Sequence, residues 1–149
     1  MSVSSRTAVA VHALTFLAQW EADDLQPSTD IAESLESNPV LVRRVLGLLR
    51  DKGLVSAVEG SGGGWQLAKP AEQITLRDAY AAVEKGAPVL PAHAHPPSQS
   101  CVIGRHMQSL LEVEFAAAQR AMEDRLAETS VAHMLRRIRD RERGEPVSR

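Results

Sequence analysis

The sequence predicts a mainly α-helical protein with one small β-hairpin and a long helix near its C-terminal end. Three observations carry that class. Apolar residues recur at three- and four-residue steps through most of the 149 positions, the pattern of helices with one buried face. The Ser37-Asn38-Pro39 punctuation and Gly53 mark off one helix, and the run Gly60-Ser61-Gly62-Gly63-Gly64 separates two short strands. Only 3% of the chain is aromatic, so its core must be Leu, Val, Ile and Ala, which suits helices better than a sandwich.

The first helix is expected over residues 3–20, with Val9, His12, Ala13, Phe16, Leu17 and Trp20 as the buried stripe. His12 on such a stripe reads as a core or interface residue and not as a ligand. Pro27 ends a polar loop, and Ser28 is expected to cap a short helix whose inner face is Ile31, Ala32 and Leu35. Asn38 caps the next helix, 39–52, with Pro39 at its first position, where a missing N–H costs nothing. Val42, Val45, Leu46 and Leu49 form its inner stripe, and Gly53 ends it. Strands follow at 54–58 and 65–68, and then a helix through Ala79, Tyr80 and Val83.

Residues 87–100 hold Pro88, Pro91, Pro96 and Pro97 and are expected to be irregular. A long helix resumes near Cys101, with Met107, Leu111, Phe115, Ala118, Met122 and Leu126 close to a coiled-coil period. A last helix covers 130–141 with Val131, Met134, Leu135 and Ile138 inward, and the Arg-rich tail from Arg136 is expected to fray. The organisation is therefore 1–86 as a winged helix-turn-helix domain, 87–100 as a connecting loop, 101–141 as dimerisation helices and 142–149 as a flexible tail.

The formal charge of −2 argues against non-specific nucleic-acid binding but leaves room for specific recognition. The charge is uneven: residues 20–36 are acidic, and 43–52 are basic through Arg43, Arg44, Arg50 and Lys52. The single cysteine excludes an intrachain disulfide and fits a reducing compartment. The N-terminus lacks a signal-peptide pattern, and no apolar run approaches the ~18 residues of a membrane span. A cytoplasmic location with no membrane partner is expected.

The helix at 39–52 is the expected recognition element. With its Val/Leu face buried, Val40, Arg43 and Arg44 remain near its N-terminal end, which such motifs push into the major groove of double-stranded DNA. Arginine pairs with guanine in bidentate fashion, and valine can touch a thymine methyl. Ser28 and Thr29 are placed for phosphate contact, Asn38 and, further along the same helix, Arg50 join the expected DNA-binding set, and Ser61, Gly62 and Gly63 form the wing tip. The glycine run is not a nucleotide loop, since no Lys-Ser or Lys-Thr pair and no helix follow it.

The order of features resembles the Rrf2 family of winged-helix transcription regulators (IscR, NsrR and CymR types, YwnA-like branch). The resemblance rests on Ile31 to Leu35, Asn38-Pro39 with Val42-Arg43-Arg44, Lys52 to Val55, Gly62 to Ala68, and Ile74 to Asp78 with Ala82-Val83-Glu84. It covers the chain to about residue 140. It implies a homodimer, with paired long helices and two winged domains on a roughly palindromic operator. Iron–sulfur members carry three cysteines before the long helix. This chain has only Cys101, so that cluster is not possible and no cofactor is expected. His93, His95 and His106 with Cys101 fit no standard metal spacing, so no metal site is assigned. Cys101 at a helix start is instead a candidate redox-sensing thiol. The effector is unidentified.

These readings point to a sequence-specific regulator, with repression as its expected mode. The alternative is a winged-helix interaction module without strong DNA binding, consistent with the low net charge and a wing tip that has no arginine. No Ser/His/Asp set, carboxylate pair or metal set marks an enzyme.

Overall fold

The computed structural model describes residues 4–144. Among them are six α-helices, one antiparallel hairpin and a 3-10 turn at Ala71–Gln73. The organising helix is α1, Arg6–Ala18, which packs against α2, α3, α4 and α6 and also against the wing. Its buried face is Val9, Ala10, Ala13, Leu14 and Leu17, rotated from the expected stripe. His12 and Trp20 are exposed and Phe16 is half-buried. Because α1 is apolar on most of its circumference, periodicity alone did not select a face.

The second helix, α2, is Ser28–Leu35. Ser28 is its first helical residue and not its cap: Pro27 holds the cap position, with no side-chain capping bond. Glu36 closes the helix in the left-handed region at φ 47°. The third helix, α3, is Pro39–Asp51 and starts as expected, with the Val40 N–H donating to Asn38 Oδ1 at 2.8 Å. A cap of this kind stabilises a helix by about 1 kcal/mol. Beyond Lys52, Gly53 turns with φ 73° and the Leu54 N–H returns to the Leu49 carbonyl at 3.0 Å, satisfying one of the last free carbonyls.

Strands β1, Val55–Val58, and β2, Gly64–Leu67, pair in antiparallel register from Val55 opposite Leu67 to Val58 opposite Gly64. The wing is also tied to the loop before α2. The Gln26 N–H donates to the Trp65 carbonyl at 2.9 Å, and the Trp65 N–H returns to the Gln26 carbonyl at 2.8 Å. The fourth helix, α4, is Leu76–Glu84. It opens with a reciprocal capping box: Asp78 N–H to Thr75 Oγ1 at 3.1 Å and Thr75 N–H to Asp78 Oδ2 at 2.9 Å.

Residues 87–100 form neither helix nor strand. The long helix α5, Val102–Ala127, has 26 residues, about 39 Å at the usual rise. None of its residues is fully buried. The expected seam does not face outward as a whole: Leu111 and Phe115 are half-buried and line a shallow cleft with Pro91, Ala92 and His93 of the loop. Gln119 donates to the Tyr80 hydroxyl at 2.8 Å, fastening α5 to α4. A second apolar row, Val102, Ile103, Leu110 and Val113, is exposed.

The last helix, α6, is Val131–Glu142, capped by Ser130, which accepts from the His133 N–H at 3.0 Å. It folds back onto α1 and the 3-10 turn of its own chain. The Leu76 N–H donates to the Thr129 carbonyl at 2.9 Å and the Val131 N–H to the Ile74 carbonyl at 2.8 Å, clamping the α5–α6 turn to the start of α4. Val131 joins the main core, whereas Ile138, expected inward, is exposed. The fraying expected from Arg136 does not begin there, since α6 stays helical to Glu142. Of the tail expected at 142–149, residues 145–149 lie outside the described residues, as do 1–3 at the start.

Candidate nucleic-acid interface

Burial of one face of α3 determines what the other face presents. Val42, Val45, Leu46 and Leu49 are wholly buried, so Val40, Arg43, Arg44 and Arg50 are turned to solvent. Val40 is 53% exposed, a large apolar side chain kept at the surface beside two cations. Among the described residues the ion pairs are Arg125 with Glu128 and Arg143 with Asp140, so Arg43 and Arg44 hold no internal counter-charge. Asn38, assigned above to the same face, uses its side-chain oxygen as the α3 cap, which leaves its amide group as donor. Ser28 and Thr29 open α2; Thr29 is exposed and Ser28 half-buried.

Arg50 is positioned by a contact that the spacing of α3 did not reveal. Its guanidinium lies 5.6 Å from the centre of the Trp65 ring, within cation–π range. The contact links α3 to the wing, and Trp65 is itself held by Gln26. The Gly63-Gly64-Trp65 sequence was the available signal for it, because the glycines bring an aromatic close to a neighbouring backbone.

The wing tip is Ser61 and Gly62, both exposed, with Gly63 half-buried behind them. The hairpin's own packing requires Gly63 and Gly64. A Cβ on Gly63 would lie 2.0 Å from the Val58 carbonyl oxygen, and one on Gly64 would lie 2.8 Å from the Gln26 carbonyl oxygen. Gly63→Ala should therefore distort the tip and destabilise the protein by roughly 1–3 kcal/mol. Thermal melting tests this, and a melting temperature equal to wild type would contradict the close approach.

Cys101 is exposed at the cap position of α5. Backbone N–H groups of Gly104, and then of Ile103, hold its thiol below the usual cysteine pKa, outweighing a small opposing effect of desolvation. Ser98 and Ser100 do not cap the helix; their hydroxyls bond each other at 3.1 Å. Arg105 turns back to the Gln99 carbonyl at 3.3 Å. His93, His95 and His106 are exposed. Among the described residues no group of three or more His, Cys, Asp or Glu is placed to hold a metal ion, so the structure does not assemble His93, His95, Cys101 and His106 into a site. No helix among them is long and apolar enough to cross a membrane.

Comparison with known proteins places this geometry. The model of the Rrf2 family, described as an iron-dependent transcriptional regulator, matches residues 3–137. YwnA of Bacillus subtilis (strain 168), provisionally named an HTH-type transcriptional regulator, is 33% identical over 136 residues, covering 91% of this chain and 98% of YwnA. The HTH-type transcriptional regulator IscR of Cereibacter sphaeroides is 31% identical over 112 residues, 74% of this chain and 71% of IscR. The solved structure of T. potens IscR superposes with a TM-score of 0.68 at 20% identity, covering 100% of this chain and 94% of that one, which shows the shared fold. The iron in the family's description finds no matching donor set among the described residues, where the one thiol stands exposed and no three ligating groups converge. The family model and YwnA are both described as transcriptional regulators. With the family model spanning nearly the whole chain and α3, the wing and the long helix all in place, the protein belongs to the Rrf2 family of winged-helix transcriptional regulators.

Proposed function

We propose that the protein is a homodimeric repressor that reads a palindromic operator with α3 and the wing. The observation that carries this reading is the exposed cluster of Val40, Arg43 and Arg44, without ion-pair partners among the described residues, on a helix whose opposite face is wholly buried. Arg43 and Arg44 supply bidentate contacts to guanine edges, and Val40 supplies an apolar contact to a thymine methyl. Ser28, Thr29 and the Asn38 amide bind phosphate at the helix ends. Arg50, held on Trp65, sets the wing so that Ser61, Gly62 and Gly63 follow the backbone beside the groove. The exposed row Val102, Ile103, Leu110 and Val113 on α5 supports pairing with a second copy.

A gel-shift titration against the protein's own promoter region tests the reading. Binding should weaken steeply as salt rises, because each phosphate contact releases a condensed counterion. The footprint should cover two half-sites separated by about one or two turns of duplex. Absence of binding to any genomic fragment at low salt would favour an interaction module instead.

In the same reading Cys101 is a redox-sensing thiol. Its exposure and the two helix-start amides that favour its thiolate support the role. Alkylation by iodoacetamide, followed across pH, should show a midpoint below that of free cysteine. No reaction at neutral pH would remove the sensing role.

A further inference from the structure

The last helix carries Arg136, Arg137, Arg139, Arg141 and Arg143 in a chain whose formal charge is −2. Three of these arginines meet in one place. Steps of three and four residues put Arg136, Arg139 and Arg143 on one face of α6. All three line a cavity of about 390 Å³ between α6, the 3-10 turn at Ala71–Gln73 and the end of α1. That volume is at the lower end of small-molecule sites. Leu135 and three alanines supply its apolar surface, and Glu72 of the turn supplies one carboxylate. Arg137 and Arg141 do not line it.

The contacts that two of these side chains make run along their own helix. Arg136 Nη2 donates to His133 Nδ1 at 2.9 Å, and Arg143 Nη2 donates to Asp140 Oδ1 at 2.8 Å. The Arg136 bond takes one of the five N–H groups on that guanidinium. Arg143 is committed to Asp140, so ligand binding falls to Arg136 and Arg139. Among the described residues the ion pairs are Arg125 with Glu128 and Arg143 with Asp140, so neither Arg139 nor Glu72 has one. The cavity therefore has a cationic wall that its own carboxylate does not neutralise.

The next cavity along the surface restricts the kind of anion. It shares Ala18, Ala71 and Glu72 with the first and adds Glu21, Asp24 and Lys69. A nucleic-acid backbone laid over the arginines would run on to Glu72, Glu21 and Asp24, where carboxylates outnumber cations. A compact anion stays beside the arginines. We propose that this face of α6 binds a small organic dianion, a phosphate ester or a dicarboxylate. Arg136 and Arg139 hold its acidic oxygens, since the planar guanidinium fork matches both groups, and its carbon body rests on Leu135 and the alanines. Glu72 weakens the hold by repelling the same charge.

The test is isothermal titration calorimetry of the full chain with phenyl phosphate and with isophthalate, both doubly ionised at about pH 7.5. One or both should bind saturably with one anion per chain, and the one that binds more tightly names the head group. Arg136→Gln and Arg139→Gln should each raise the dissociation constant about tenfold or more. Both residues are exposed, so circular dichroism should not change, and if one variant fails to fold the other decides. Arg141→Gln removes the same charge from the same helix outside the cavity and should bind as wild type does. Glu72→Gln should tighten binding several-fold. Absence of saturable binding by both dianions overturns the proposal. So does wild-type affinity in both cavity variants, or a loss in Arg141→Gln equal to theirs, which would mean diffuse attraction to the helix. Weaker binding by Glu72→Gln also overturns it, since the carboxylate would then be helping to hold the ligand. No readout uses DNA, so failure here is distinct from failure of the operator reading.

Discussion

Replacing Arg43 and Arg44 together with alanine is expected to lower affinity for the operator by on the order of 100-fold, since each bidentate base contact contributes ~1–3 kcal/mol. The melting temperature should stay at the wild-type value, because both side chains are exposed and neither forms an ion pair among the described residues. A gel-shift series over several salt concentrations separates the two ways in which an arginine acts. If the side chains read bases, the variant loses discrimination between operator and scrambled DNA. If they bind phosphate, the salt dependence becomes shallower and discrimination survives. An operator affinity unchanged from wild type would remove both residues from the interface. Arg50→Ala is a useful contrast, because its guanidinium rests on Trp65 and its loss also frees the wing.

The second large effect is on stability. Leu46 is wholly buried on the inner face of α3, in one core with Val42, Val45 and Leu49 and with residues of α1 and α4. Leu46→Ala should destabilise the protein by about 2–5 kcal/mol through lost burial and the cavity left behind. That is a large part of the ~5–15 kcal/mol that holds a typical domain folded. The melting temperature should fall by on the order of 10 °C. A fall of less than about 2 °C would mean that the helix is not packed as described. Comparing this variant with the arginine pair separates the two faces of one helix: stability depends on one and recognition on the other.

Several features could be read directly from residue order because they are set by local backbone chemistry. Asn38 and Pro39 start α3 wherever the rest of the chain lies, since the cap bond spans two residues. Gly53 ends it for a similar reason, through its positive φ. The prolines at 88, 91, 96 and 97 keep 87–100 out of regular structure. Val40, Arg43 and Arg44 were legible as a face because α3 has one apolar side and one polar side. Ser28 shows the limit of such local reading. A serine beside a proline has two plausible registers, and the chain puts Pro27 at the cap position.

Other features were decided by neighbours far away in the chain. Both α1 and α5 are apolar on more than one side, so their periodicity allows several buried faces. Packing of α1 against α3, α4 and α6 selected Ala10 and Leu14 and left His12 and Trp20 at the surface. On α5, Leu111 and Phe115 are half-buried beside the 91–93 loop, whereas Val102, Ile103, Leu110 and Val113 are exposed. The return of α6 onto α1 is held by Val131 in the main core and by two hydrogen bonds between residues 74–76 and 129–131, and it leaves a groove between α1 and α6 whose walls carry no Asp, Glu, Lys or Arg. Residue order therefore determined where the helices begin and end and which face of α3 is polar, since those depend on capping and periodicity within a few residues. The tertiary structure alone decided which apolar faces are covered and what space remains between them, because burial is settled by competition among surfaces distant in sequence.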